Sequence, residues 1–229
     1  MPTKRYFAPA FFEFFDELSR NNNREWFQQN RDRYERDVRE PMVRFISDFA
    51  PRLRKIARYY EADPRPTGGS MMRIYRNLRF SRDKTPYRTN AAAAFGHRDG
   101  GFGVSPAFYI SMSPAEAYAG VGMYHPESPT LDKVRRAIVA HPMPWKKVIG
   151  DRKFLKRFDV TGDKLTRPPR GYDPEHPLID DIKRKDFIAG TQFTRVEVCS
   201  PRFLDLYCDV CELSAPFMRF LTEAVGLKW

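Results

Sequence analysis

An α+β fold, with a helical N-terminal third, a central mostly antiparallel sheet and C-terminal helices packing on it, is what this sequence predicts. Three observations lead there. Phe11, Phe12, Phe14, Phe15 and Leu18 repeat at the spacing of one helix face. Four short stretches between residues 71 and 124 are rich in β-formers. Helical patterning then returns and closes the chain with a long apolar run from 201 to 226. A chain of 229 residues, 41% of them hydrophobic, buries roughly 70% of its unfolded surface without a staple. No change of composition marks a linker, so residues 1–229 are expected to form a single domain.

The elements follow in order. Asn21, Asn22 and Asn23 interrupt the first helix, and Asn suits both the end and the start of a helix, so a second one should begin at once. Trp26, Phe27, Asn30 and Tyr34 continue one face. Pro41 and Pro51 each remove a helix bond and predict breaks or kinks. Helix is expected to about Tyr60, and the Pro and Gly of 61–70 make a loop. Strands are expected at 71–76, 91–97, 107–112 and 116–124, with Ser113, Pro114 and Ala115 turning a hairpin. No Lys or Arg occurs from 101 to 130, and the cation-free 101–124 reads as the sheet centre. Ser128 as cap, Pro129 in the first position and Asp132 near the positive end predict a helix over 128–141. A broken helical stretch, a loop over 161–177, a short helix near 178–188 and an extended "AGTQFTRVEV" precede the last helix, which contains Pro216.

The net charge is +11 and the pI about 9.7, enough to raise the question of nucleic acid or another polyanion. The excess lies in two places, around 73–88 and in 131–190. Arg dominates the first hundred residues, and its planar fork suits phosphate or carboxylate. No apolar run approaches the ~20 residues of a membrane span, so no membrane partner is expected. The N-terminus lacks a long apolar segment and does not read as a signal peptide. Cys199, Cys208 and Cys211 are too few and too clustered for a disulfide framework. The expected location is cytoplasmic.

The stretch 73–88 carries Arg73, Arg76, Arg79, Arg82, Lys84 and Arg88 against one anion, Asp83. A regular strand would send Arg73 and Arg79 to one face and Arg76 and Arg82 to the other. Pro86 holds Thr85 extended, so a loop that turns several cations toward one ligand is the better reading. Tyr87 is placed to stack or to donate a hydrogen bond. These residues are the candidate ligand contacts, and the competing reading is a set of ion pairs to the acids of the N-terminal helices.

The second candidate is "GVGMYHPESPT" (120–130). Gly122 permits close backbone approach, and Ser128 opens a helix whose free N–H groups suit an anion. His125 and Glu127, with Asp83, are the candidate proton carriers; Asp83, set among cations, should have a lowered pKa and so be a poor acid. His97 and His125 each close an expected strand and would meet only if those strands were neighbours. No spacing of His, Cys or acids requires a metal, and no cofactor motif is present, so no metal and no cofactor is expected. The C-x-x-C at Cys208 and Cys211 lies in an apolar helical run and reads as core.

Five stretches, "NNNREWFQQNRDRYE" (21–35), "RIYRNLRFSRDKTPYRTN" (73–90), "AFYISMSP" (107–114), "GMYHPES" (122–128) and "DKLTRPPRGYDPEHPLIDDIKRKDF" (163–187), come in the order seen in a bacterial and fungal family, and nearly the whole chain resembles it. That family is known as domain of unknown function 2461. The resemblance implies a single domain of about this length and brings no reaction, cofactor or catalytic residue with it. Met123 and Tyr124 stand where many relatives carry Gly or Trp.

Three functions remain in competition. A site for a small phosphate- or carboxylate-bearing ligand, alone or within an enzyme, would show a concave pocket lined by the cations of 76–88. A nucleic-acid-binding module, with Tyr75, Phe80 and Tyr87 interleaved among arginines, would show a broad basic face joining 76–88 to 133–157. A scaffold protein would bury the arginines against acids of the first helices.

Overall fold

The computed structural model describes residues 4–79, 81–101 and 103–229. The first helices are α1 (Pro9–Arg20), α2 (Arg24–Gln29), α3 (Arg31–Tyr34) and α4 (Glu40–Ile56). Each residue of the Asn triplet has its own task. Asn21 ends α1, and the Asn23 side chain accepts a hydrogen bond from the Trp26 N–H at 2.9 Å to start α2. Asn22 reaches elsewhere, as described below.

The expected breaks at Pro41 and Pro51 do not occur. A wider π-type turn, Glu35–Arg39, precedes α4 and delivers Pro41 to its first turn. Helical backbone runs through this junction, Tyr34 and Arg39 both being right-handed helical, and the wider turn falls just before the residue that lacks an N–H. Pro51 sits inside α4. The helix continues because Met42, Phe45, Ile46, Phe49 and Leu53 are all fully buried along one face, and packing outweighs one lost backbone bond.

The sheet comprises β1 (Ala91–Gly96), β2 (Ala107–Met112), β3 (Ala117–Met123), β4 (Asp159–Thr161) and β5 (Phe187–Phe193), in the order β1-β2-β3-β5-β4, with every pair antiparallel. The hairpin at Ser113 forms, the Ser113 N–H donating to the Glu116 carbonyl at 2.8 Å. The cation-free stretch does supply the centre, since β3 is the middle strand. The segment expected as a strand at 71–76 is extended but makes only isolated bridges, Met71 to Ala93 and Tyr75 to Tyr87. β4 went unforeseen because three residues with one apolar side chain carry no periodic signal.

Between and after the strands come α5 (Ser128–Ala140), α6 (Pro142–Ile149), α7 (Arg152–Arg157), α8 (Ile179–Ile182), α9 (Arg195–Val198) and α10 (Phe203–Ala224). Ser128 is the first helical residue of α5 and not its cap. Glu127 holds the cap position, without a side-chain bond. "AGTQFTRVEV" is extended only to Phe193. Thr194 then caps α9 and Glu197 returns the bond, a T-x-x-E capping box.

One face of the sheet presents Ala93, Phe95, Phe108, Ile110, Ala119, Val121 and Ala189, all at 3% exposure or less. Side chains of α4 and α10 cover it. Phe49 meets Phe95 edge-on at 4.8 Å and Tyr207 at 5.0 Å, and Tyr60 meets Phe108 at 5.4 Å. The Phe residues of α1 join the same cluster. Cys208 and Cys211 are buried in α10, and burial pushes the Cys208 thiol up to about 11. They pack as small apolar groups. Among the described residues no group of three or more His, Cys, Asp or Glu could hold a metal ion.

Among the described residues the Tyr207 hydroxyl is buried without a hydrogen-bond partner, and the Cys211 and Cys208 thiols are near enough to influence it. An unmade buried bond costs about 1–3 kcal/mol. Tyr207→Phe should therefore leave stability unchanged or raise it, where most core substitutions lower it. Urea unfolding monitored by circular dichroism checks this, as a rise or constancy of the midpoint at constant slope.

Candidate functional site

The chain entering β1 doubles back on itself before it joins the sheet. The Arg76 N–H donates to the Pro86 carbonyl at 2.9 Å and the Arg88 N–H to the Ile74 carbonyl at 2.7 Å, which makes residues 74–88 a short ribbon. Ile74 and Tyr87 anchor it inward, at 7% and 4% exposure. The Tyr87 ring stacks on Phe27 of α2 at 4.1 Å. Asn22 locks the same point from the backbone side. Its amide donates to the Tyr87 carbonyl at 2.9 Å, and its carbonyl accepts from the Tyr87 N–H at 3.0 Å. The ring of Tyr87 is therefore spent on the fold.

The tip of the ribbon is organised around Arg76. Its guanidinium donates to Asp83, to Thr85 and, at 3.3 Å, to Ser81. Asp83 also accepts from the Thr85 N–H at 2.9 Å and from its hydroxyl at 3.0 Å. The Arg76 bond first, and then the Thr85 bonds, hold the Asp83 carboxyl down at about 2. Asp83 is thus charged at neutral pH and orients Arg76.

Arg73, Arg79, Arg82, Lys84 and Arg88 are exposed, and among the described residues none lies within 4.0 Å of a carboxylate. No acid of the N-terminal helices pairs with them. Beside the ribbon lies an open cleft of about 510 Å³, lined by Ser19, Asn22, Arg76, Asn77, Thr85, Arg88 and Asn90 among others. The structure brings Arg76, Asp83, Tyr87 and Arg88 to this cleft, whereas Arg73, Arg79, Arg82 and Lys84 do not line it. Phe80 lies outside the described residues. Arg24, which sequence reasoning did not single out, is close enough for its charge to act on the Tyr87 phenol.

The second group of candidates stands apart. Ala91 pairs across β2 toward Ala117, and Gly96 toward Gly122, so the ribbon and residues 122–128 leave opposite ends of strands about 17 Å long. Gly122, at φ 114, is required by packing. A side chain there would meet the Phe187 carbonyl oxygen at 2.0 Å. His125 has φ 47, the one positive value among described non-Gly residues. Its N–H donates to Asp186 Oδ1 at 2.6 Å, and its ring Nδ1 lies 3.5 Å from the same oxygen. Asp186 is 2% exposed and also accepts from the Asp163 N–H at 3.3 Å. This carboxylate, 61 residues away in sequence, is the one beside His125; Glu127 and Asp83, the other candidate proton carriers, are not paired with it. The Glu127 N–H donates to the Gly103 carbonyl at 3.0 Å, and Ser128 makes no cap bond.

His97 does not join His125, because β2 separates their strands. It is 4% exposed and satisfied, with Nε2 on the Lys228 carbonyl at 2.8 Å and Nδ1 accepting from the Asp99 N–H at 3.1 Å. In the other basic region, Arg135 is buried and donates to the carbonyls of Ile182 and Arg184, and Arg136 pairs with Asp132 at 2.7 Å. α7 runs directly into β4, the edge strand opposite β1.

Two measurements follow from this geometry. Because a lowered carboxylate pKa stabilises above the unfolded value and is lost as pH falls through the folded one, the Asp83 contribution should persist at pH 5 and fade from about pH 4 toward pH 2. Carboxyl NMR should place its midpoint near 2 and, in Arg76→Ala, back near the ordinary ~3.9. At the other end, Asp186→Ala leaves the His125 N–H without its acceptor. It should cost about 1–3 kcal/mol in denaturant unfolding.

The model of a family described as conserved hypothetical protein (DUF2461) matches residues 10–220. A search of curated proteins finds no match.

Proposed function

The chain belongs to the DUF2461 family, and because that description carries no reaction, we propose from the site itself that the protein binds a small anion bearing a phosphate or carboxylate. The cleft beside the 74–88 ribbon is where it binds. One observation carries this reading: Arg88 lines a concave, polar cleft without a carboxylate partner, next to an Arg76 already oriented by Asp83 and Thr85. An oriented guanidinium loses little freedom on binding, and Arg forks match planar oxyanions. Asn77 and Asn90, which also line the cleft, suit the polar body of such a ligand. Arg73, Arg79, Arg82 and Lys84 raise the local potential and steer the anion inward. Of the proton carriers considered for an enzyme, His125 and Glu127 lie at the far end of the sheet, and Asp83, which lines the cleft, is held ionised by Arg76 and Thr85 and makes a poor acid, so this cleft is a binding site.

A second reading, nucleic-acid binding, is favoured by one fact. The cations outside the cleft are exposed beside Tyr75, itself 58% exposed, an arrangement suited to phosphate contact with stacking. Against it, the basic helix α7 adjoins the opposite edge of the sheet.

Among the described residues no helix is long and apolar enough to cross a membrane. The three free cysteines fit a cytoplasmic setting, and the continuous buried cluster from Tyr6 to Val225 fits one folding unit.

Thermal shift with phosphate, sulfate, sugar phosphates, nucleotides and short oligonucleotides tests the proposal. A ligand at 100 times its Kd adds about 2.7 kcal/mol, a clear rise in Tm. The expected result is a rise with one class of small anion that Arg88→Ala abolishes. A rise with oligonucleotides alone, collapsing steeply with salt, transfers the function to the second reading. No rise with any of them overturns both.

A further inference from the structure

At the other end of β1 lies a second depression, of about 520 Å³, framed by Arg54, Arg58, Tyr60, Glu61 and Arg98. We propose that it is a separate binding site for a doubly charged phosphate group, such as a phosphate monoester or the end of a pyrophosphate.

Its three arginines come from two elements. Arg54 sits in the last turn of α4 and Arg58 just beyond it, whereas Arg98 follows His97 at the end of β1. The segment 59–61 joins them by pairing with the edge of the sheet. The Glu61 N–H donates to the Gly96 carbonyl at 3.0 Å, the Arg98 N–H to the Tyr59 carbonyl at 2.9 Å, and Tyr60 bridges to His97. Arg98 is further held with its guanidinium 4.6 Å over the Tyr59 ring and a donor 3.5 Å from the Arg58 carbonyl. The Tyr59 ring in turn lies parallel to the buried His97 imidazole. The floor is rigid, since Tyr60 is 1% exposed with its hydroxyl 2.6 Å from Thr222 Oγ1.

The charges here are not accounted for by the fold. Arg33, Arg39 and Arg52, on the same helical stretch, each pair with a carboxylate. Among the described residues Arg54, Arg58 and Arg98 have none within 4.0 Å. The negative pole of the α4 C-terminus amounts to roughly half a charge. It offsets about half of one cation. Glu61 offsets a second, though its charge also acts on Arg65. A positive excess of more than one charge remains in a concave site with at least one preoriented fork. A phosphate dianion neutralises it and takes bidentate bonds.

Pyrophosphate and inorganic phosphate are titrated into the full chain at low salt, with amide NMR to locate binding and calorimetry to measure it. Pyrophosphate should shift the amides of 58–61 and 96–99. Arg98→Ala and Arg58→Ala should each weaken that binding at least tenfold, Arg98→Lys less, and Arg88→Ala not at all. If Arg58→Ala and Arg98→Ala bind as the parent does while keeping its Tm, or if the shifts fall only on 74–88, the proposal is overturned, whatever becomes of the ribbon cleft. A single-stranded oligonucleotide that displaces pyrophosphate from these amides assigns the phosphate to a nucleic-acid backbone. One that does not assigns it to a free phosphate compound. Either result leaves the site standing.

Discussion

The apolar face of the sheet has to be covered, and most of the molecule is arranged around that requirement. Phe95, Phe108, Ile110 and Val121 project from neighbouring strands as one surface. Phe49 of α4 and Tyr207 of α10 close over it, each in contact with Phe95 and with the other. At about 25 cal/mol per Å² of apolar surface removed from water, this burial dominates the local terms. It carries α4 through Pro51 and α10 through Pro216. The same packing fixes where α4 ends and where β1 begins, and those two points set both arginine clusters.

Rigid anchoring and open charge meet at each end of β1. At one end Asn22 and the Phe27 stack hold Tyr87, so the ribbon tip can carry unpaired cations without losing its shape. At the other, Tyr59 and His97 support Arg98. Some cations elsewhere are answered locally, as in Arg33 with Glu17, Arg39 with Glu35 and Arg52 with Asp205. The contrast matters more than the net charge of +11, because only unanswered charge is available to a ligand.

His125 and Asp186 show how far apart in sequence a local arrangement can be assembled. A carboxylate at 2% exposure is costly unless its oxygens accept bonds, and here they accept from two backbone N–H groups. The acceptor holds His125 in its positive-φ turn and sets its ring outward beside Tyr124, 4.0 Å between centroids. Nothing in the spacing of "GMYHPES" and "KRKDF" points to this pairing, since it depends on β3 and β5 lying side by side.

The sequence by itself determined the fold class, the two helices separated at the Asn triplet, the 113–115 hairpin, the cation-free sheet centre and the final helix. Each of these rests on periodicity, capping chemistry or turn residues acting within a few positions of one another. It also marked 73–88 as unusual, because a run of cations needs no context to be seen. Tertiary structure alone decided that Arg76 is answered by Asp83 while Arg88 has no carboxylate partner among the described residues, that Tyr87 is spent on Phe27, and that His97 and His125 never meet. It alone brought Arg98 to Arg54 and Arg58. Those outcomes depend on strand order and on the packing of α4 and α10 over one face, contacts between residues tens of positions apart that leave no local pattern in the chain.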